Sequence, residues 1–148
     1  MKKQAVRVRV SEQQAYDELC DYTFAHARQH GTFIHQHVVD AYAAQHADAS
    51  TKPITLVFAL MGLYMHVERG YSGTEVQRLH IAMGRNRVTW PPLRLPVNRG
   101  SMTVVDVMAC PPGPERDHAI AAWCRSVWEV YAVNRPMVAE LLVSYGIG

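Results

Sequence analysis

The stretch "PITLVFALMGLYMHVERG", residues 53–70, constrains the fold more than any other. It is apolar almost all round, opens on a proline and closes on a glycine. Proline is tolerated in a first helical turn, where its missing N–H would be unpaired anyway, and glycine ends helices because the left-handed conformation costs it nothing. A helix without a polar face must be walled by protein, since the apolar run from Leu56 to Met65 is too short to span a bilayer. The segment predicts a central helix. Its exceptions, Thr55, Ala59, Gly62 and His66, fall on one face as a small or polar strip.

The remaining chain reads as further helices separated by clear punctuation. In "AVRVRV", Val6, Val8 and Val10 alternate with Arg7 and Arg9, the period of a short strand or an extended arm. Ser11 opens a helix with capping-box spacing to Gln14, and Gly31 closes it. A second helix covers roughly residues 33–46. Thr74 caps a fourth, which ends near Gly84. "TWPPLRLPVNRG" is a proline-rich irregular connection. Thr103 caps a short helix to Ala109, and a last long helix starts near Pro114, kinking or restarting at Asn134-Arg135-Pro136. With no internal repeat and no linker, the expected architecture is all-α: a single-domain helical bundle of four to six helices over residues 1–148, with residues 1–10 as a short extended arm.

Composition narrows the function classes. At 148 residues the chain is long enough to bury a core without staples, and 49% hydrophobic against 19% charged residues is a globular balance. A net charge of +2 does not by itself call for nucleic acid. Lys2, Lys3, Arg7 and Arg9 are followed at once by Glu12, Asp17, Glu18 and Asp21, with no basic recognition helix, so a nucleic-acid partner is not expected. Cys20, Cys110 and Cys124 are far apart and form no Cys-x-x-Cys pair, which suits a reducing cytoplasm rather than a disulfide framework. The basic N-terminus runs into "SEQQAYDE" without an apolar stretch, so no secretory signal and no membrane association are expected.

The eight histidines carry the chemistry. At about 100° per residue, His26 and His30 lie on the core-facing stripe of the first helix, one turn apart. On the second, Ile34, Val38, Ala41 and Tyr42 mark the buried direction, with His37 on one flank near Asp40 and His35 on the other with His46. Short loops make consecutive helices antiparallel, so the end of the first helix, the start of the second and the end of the third share one level of the bundle. If the last long helix begins there too, His118 joins His26, His30, His35, His37 and His66, although its phase opposite Trp123, Val127 and Val130 points it to solvent. His46 and His80 fall elsewhere. Helix bundles build metal sites from imidazoles that converge in this way. No Glu-x-x-His or His-Glu-x-x-His motif is present, and a histidine on an apolar face is more often structural than a ligand.

From residue 35 to about residue 131 the chain resembles a family of small bacterial proteins catalogued only as a domain of unknown function. The matching pieces are His35 with "VVDAYAAQH", then "GLYMHVERG", "WPPL", "RGSMTVVDV", and His118 with "AAWCRSVWEVY". They mix core residues with His35, Asp40, Tyr42, His46, Asp106 and His118. The resemblance implies an all-helical fold and supplies no activity. Two departures stand out: the paired cysteines that members carry near the N-terminus are missing, and Ala59 stands where members tend to have histidine.

Other constellations are weaker. Cys20 and Ser144 sit in no strained turn and beside no oxyanion hole. Arg99 in "NRGSMT" precedes a helix N-terminus as an anion site would, but a loop folded over the bundle with Arg99 solvated accounts for it better. Trp90, Trp123 and Trp128 read as large residues between helices. Two functions follow. The first is a bundle binding one divalent transition metal (Zn, Ni, Fe or Mn) through His35, His37, His66 and His118, with His26 and His30 as alternates. Metal-bound water would then be the nucleophile and Asp40 an orienting carboxylate. The second is a non-catalytic binding or scaffolding protein with structural histidines. The valines of the arm, with Met137, Leu141 and Tyr145 at helical spacing, add the expectation of a twofold homodimer.

Overall fold

The computed structural model describes residues 2–25, 34–85 and 90–147, the side chains of residues 2–10 apart. Seven α-helices are present among the described residues: α1 (Lys2–Ala25), α2 (His35–His46), α3 (Pro53–Arg69), α4 (Gly73–Gly84), α5 (Val104–Ala109), α6 (Pro114–Val130) and α7 (Arg135–Ser144). One turn of 3₁₀-helix, Ala132–Asn134, joins the last two. The chain is all-α, and the count exceeds six because the Asn134-Arg135-Pro136 break makes two helices of the last segment. The backbone of residues 2–10, where the alternating valines predict an extended arm, is helical and continuous with α1. No glycine or proline interrupts residues 2–25, and Lys, Arg, Gln and Ala are good helix formers, so local propensity prevails over a three-valine alternation.

Helix α3 is the centre. It packs against α2, α4, α6 and α7, and its residues from Leu56 to Met65 are buried apart from half-buried Phe58. Pro53 begins it, and Gly70 ends it at φ 69°, donating its N–H to the His66 carbonyl. Helix α4 starts two residues earlier than a Thr74 cap predicts. Its cap is Ser72, whose hydroxyl accepts from the Glu75 N–H at 3.2 Å while the Glu75 carboxylate accepts from the Ser72 N–H at 3.1 Å, a complete capping box. Thr103 caps α5 as expected, with Asp106 returning the bond.

The proline-rich connection is fastened down by side-chain amides. Asn134 holds Arg94 in both directions, accepting from its N–H and donating to its carbonyl, each at 2.8 Å. Gln45 donates to the carbonyls of Arg99 and Met102 and accepts from Trp123 Nε1 at 2.9 Å. Arg99 donates to the Ala47 carbonyl at 2.6 Å, so the guanidinium clamps the loop to the end of α2. Each of these bonds except that from Trp123 pairs a backbone group that the bundle surface would otherwise strand.

Candidate functional site

Two members of the small strip of α3, Gly62 and His66, lie on the seam with α2. Asp40 meets Gly62 and His37 meets His66, so numbers rise along one helix as they fall along the other, and the two run antiparallel. At Gly62 the helices approach so closely that a β-carbon would overlap the Asp40 carboxyl. One turn away the imidazoles of His37 and His66 stack face to face, with ring centroids 3.6 Å apart and planes within 14°.

Burial sets the protonation of this seam. His37 is 4% exposed and Asp40 3%. Loss of solvent pushes the His37 imidazole down to about 3, with the neighbouring His66 adding to the shift. His66 is also held below its ordinary value, again by burial first, with a backbone hydrogen bond at Tyr71 opposing and Arg125 assisting. Both rings are neutral at pH 7. Burial raises Asp40 well above the usual carboxylate range, against the opposing bond that Gln36 Nε2 donates to Oδ1 at 3.2 Å. Asp40 is thus a buried acid whose charged form is disfavoured in the seam. Two buried side-chain atoms among the described residues have no hydrogen-bond partner: His37 Nδ1 and Asp40 Oδ2.

The histidine pair faces a cleft of about 360 Å³ between α2, the α3–α4 turn and α6. Ile34, Ile120 and Ala121 form its apolar side; Tyr71, Ser72, Glu75 and Asp117 supply polar groups beside His37 and His66. The two carboxylates are fixed in place. Glu75 is tied by its capping box, and Asp117 accepts from the Tyr22 hydroxyl at 2.8 Å. Tyr22 in turn accepts from the Gly113 N–H and lies under the Arg116 guanidinium.

Of the four histidines expected to converge, the structure brings together His37 and His66. His35 turns toward α1, where Nδ1 is 2.9 Å from the Thr23 hydroxyl and the ring lies against Phe24. His118 is exposed on α6, one residue beyond Asp117. His26 and His30 lie outside the described residues. Among the described residues no group of three or more His, Cys, Asp or Glu side chains is placed to hold a metal ion. The stack itself bears on this, because imidazole lone pairs lie in the ring plane and parallel rings send them side by side rather than to a shared point. His80 and His46 are fasteners. His80 donates from Nε2 to the Phe58 carbonyl at 2.8 Å and receives Gln36 on Nδ1 at 3.4 Å. His46 bridges to Glu12 at 2.8 Å, and its ring continues a stack of Tyr16 on Tyr42.

With these positions known, the resemblance read from the sequence can be checked. A family model covers residues 11–132. The chain belongs to DUF5946, a family of unknown function. No curated protein and no solved structure matches it. The family therefore adds membership and no chemistry, and the cleft must be argued from its own residues. Sequence reasoning missed Tyr71, Ser72, Glu75 and Asp117 as its lining. The Ser-x-x-Glu spacing of 72–75 was a legible signal for the helix cap, whereas only the packed structure shows that this cap borders the histidine pair.

Proposed function

We propose that the chain is a non-catalytic binding protein whose ligand place is the His37–His66 cleft. The observation that carries this is the stacked His37–His66 pair lining that cleft, with His37 Nδ1 buried and without a partner behind it. Leaving a buried polar atom unpaired costs about 1–3 kcal/mol, and native proteins keep few such atoms. A neutral imidazole pair beside a cavity large enough for a small organic molecule is a recognition surface, with Ile34, Ile120 and Ala121 to cover an apolar body. Methyl NMR of isoleucine-labelled protein against mixtures of small organic molecules tests this. Saturable shifts at Ile34 and Ile120, with exposed Ile54 and Ile81 unmoved, are expected; shifts scattered over the surface would reject the cleft.

A second reading has its own support in the ring contact of two neutral imidazoles. One divalent transition metal, Zn, Ni, Fe or Mn, would bind there if the stack opened and His35 or His118 swung inward, since neutral imidazole is a good ligand for all four. Metal analysis of protein purified without a His-tag separates the readings. Near-stoichiometric metal favours the second, and a metal-free, fully folded protein favours the first. A twofold homodimer belongs to either, supported by the exposed apolar side chains of Val133, Met137 and Val143.

A further inference from the structure

The charged groups of the cleft are already committed. Glu75 is tied into the capping box at the exposed start of α4, and Asp117 accepts from Tyr22. Neither carboxylate is left as a seat for an ammonium, and both disfavour an anion. The N-terminus of α4 is filled by its own cap, and the lining holds no lysine or arginine among the described residues. His66 supplies what remains. The Tyr71 N–H is spent on the Met65 carbonyl, so the backbone hydrogen bond between His66 and Tyr71 runs from the imidazole to the Tyr71 carbonyl. That bond fixes the tautomer, and the second nitrogen of a neutral imidazole is a bare acceptor. Among the described residues no group donates to it, and it is not one of the buried unpaired atoms, so it keeps accessible surface. His66 is half-buried where it lines the cleft, whereas His37 is almost wholly buried. In the same lining the Ser72 hydroxyl, which accepts from the Glu75 N–H, keeps its own proton to give. A ligand hydroxyl both gives and accepts, which matches this pair. We infer that the cleft takes an uncharged hydroxyl compound with a small apolar body, its O–H given to the bare nitrogen of His66. The body lies on Ile34, Ile120 and Ala121. This rests on the cleft being the ligand place, and it names the ligand class.

Four probes built on one ring test it at pH 7: phenol, anisole, benzylamine and benzoate, each titrated while the Ile34 and Ile120 methyl signals are followed. Phenol, uncharged at this pH, should saturate about fivefold tighter than anisole, whose oxygen has no proton to give. Benzylamine should bind more weakly than phenol, and benzoate should not saturate. Ring-nitrogen NMR gives a second readout: phenol should move the signal of the bare His66 nitrogen, and anisole should leave it in place. His66→Phe, which keeps a flat ring against His37, should bring phenol to the level of anisole. Anisole, benzylamine or benzoate matching phenol at these methyls would overturn the hydroxyl class while the cleft stood. So would an unmoved bare nitrogen, or a phenol lead that survived in His66→Phe. If no probe moved either methyl, the cleft would fall with it. Should His66→Phe fail to fold, the ring-nitrogen signals of the unaltered protein decide alone.

Discussion

Gly62 and Asp40 define one another. The carboxyl occupies the space that any β-carbon at position 62 would need. Gly62→Ala should therefore destabilise the protein by roughly 1–3 kcal/mol or more, the range of overpacked cores, and Asp40→Ala in the same chain should recover part of the loss. Denaturant midpoints of the two single variants and the double variant would show it; additive losses would place the carboxyl elsewhere. Asp40 also imposes a pH dependence. Its folded-state proton is held well above the ordinary range, so the stability it confers is full in acid and declines as pH rises through the raised value. His37, held down to about 3, acts oppositely: from its ordinary 6.5 downward the unfolded chain takes up a proton that the folded chain refuses, and stability falls with falling pH. Asp40→Asn should remove the decline that sets in above the ordinary carboxylate range and keep the loss that His37 imposes below its ordinary value. Parallel stability curves for variant and wild type from pH 4 upward would contradict a raised Asp40. At this scale the sequence showed which residues were unusual, His37, Asp40, Gly62 and His66, but not that Asp40 would face a glycine rather than an imidazole. That depends on how closely two backbones approach, which residue spacing along one helix does not encode.

Helix α3 was readable in full, its ends as well as its burial, because Pro53, an unbroken apolar run and Gly70 all agree. Leu60 and Leu63 are fully buried, so truncating either to Ala should cost about 2–5 kcal/mol where the site cannot collapse. Losses below about 1 kcal/mol at both, read from urea unfolding, would displace α3 from the centre. Elsewhere local signals competed. Ser72 and Thr74 are both capping residues, and only Ser72 has an acid three residues on, which decided the start of α4. Over residues 2–10 a period-2 pattern met helix-forming composition and no breaker, and the helix extended through it. The stretch His35–His46 looked like a concentration of ligands. Much of its polar content fastens α2 to its neighbours: His35 to Thr23, Gln45 to Trp123 and the proline-rich loop, His46 to Glu12.

For the whole molecule, antiparallel packing from short loops was enough to bring the start of α2, the end of α3 and the start of α6 to one level, where the cleft opens. It could not say which way a histidine turns about its helix, and so His35 and His118 lie apart from the pair. No described helix is long and apolar enough to cross a membrane. The proposed homodimer predicts twice the chain mass in light scattering and a monomer once residues 1–10 are deleted; a monomer at all practical concentrations would reject it. The central claim is that two stacked, neutral imidazoles form the wall of a ligand cleft, and ring-nitrogen NMR over pH 4–8 tests it most directly. With signals assigned by His37→Gln, His37 should keep one protonated and one bare ring nitrogen across that whole range. Double protonation of His37 with a midpoint near its ordinary 6.5 would contradict the buried pair and the cleft built on it.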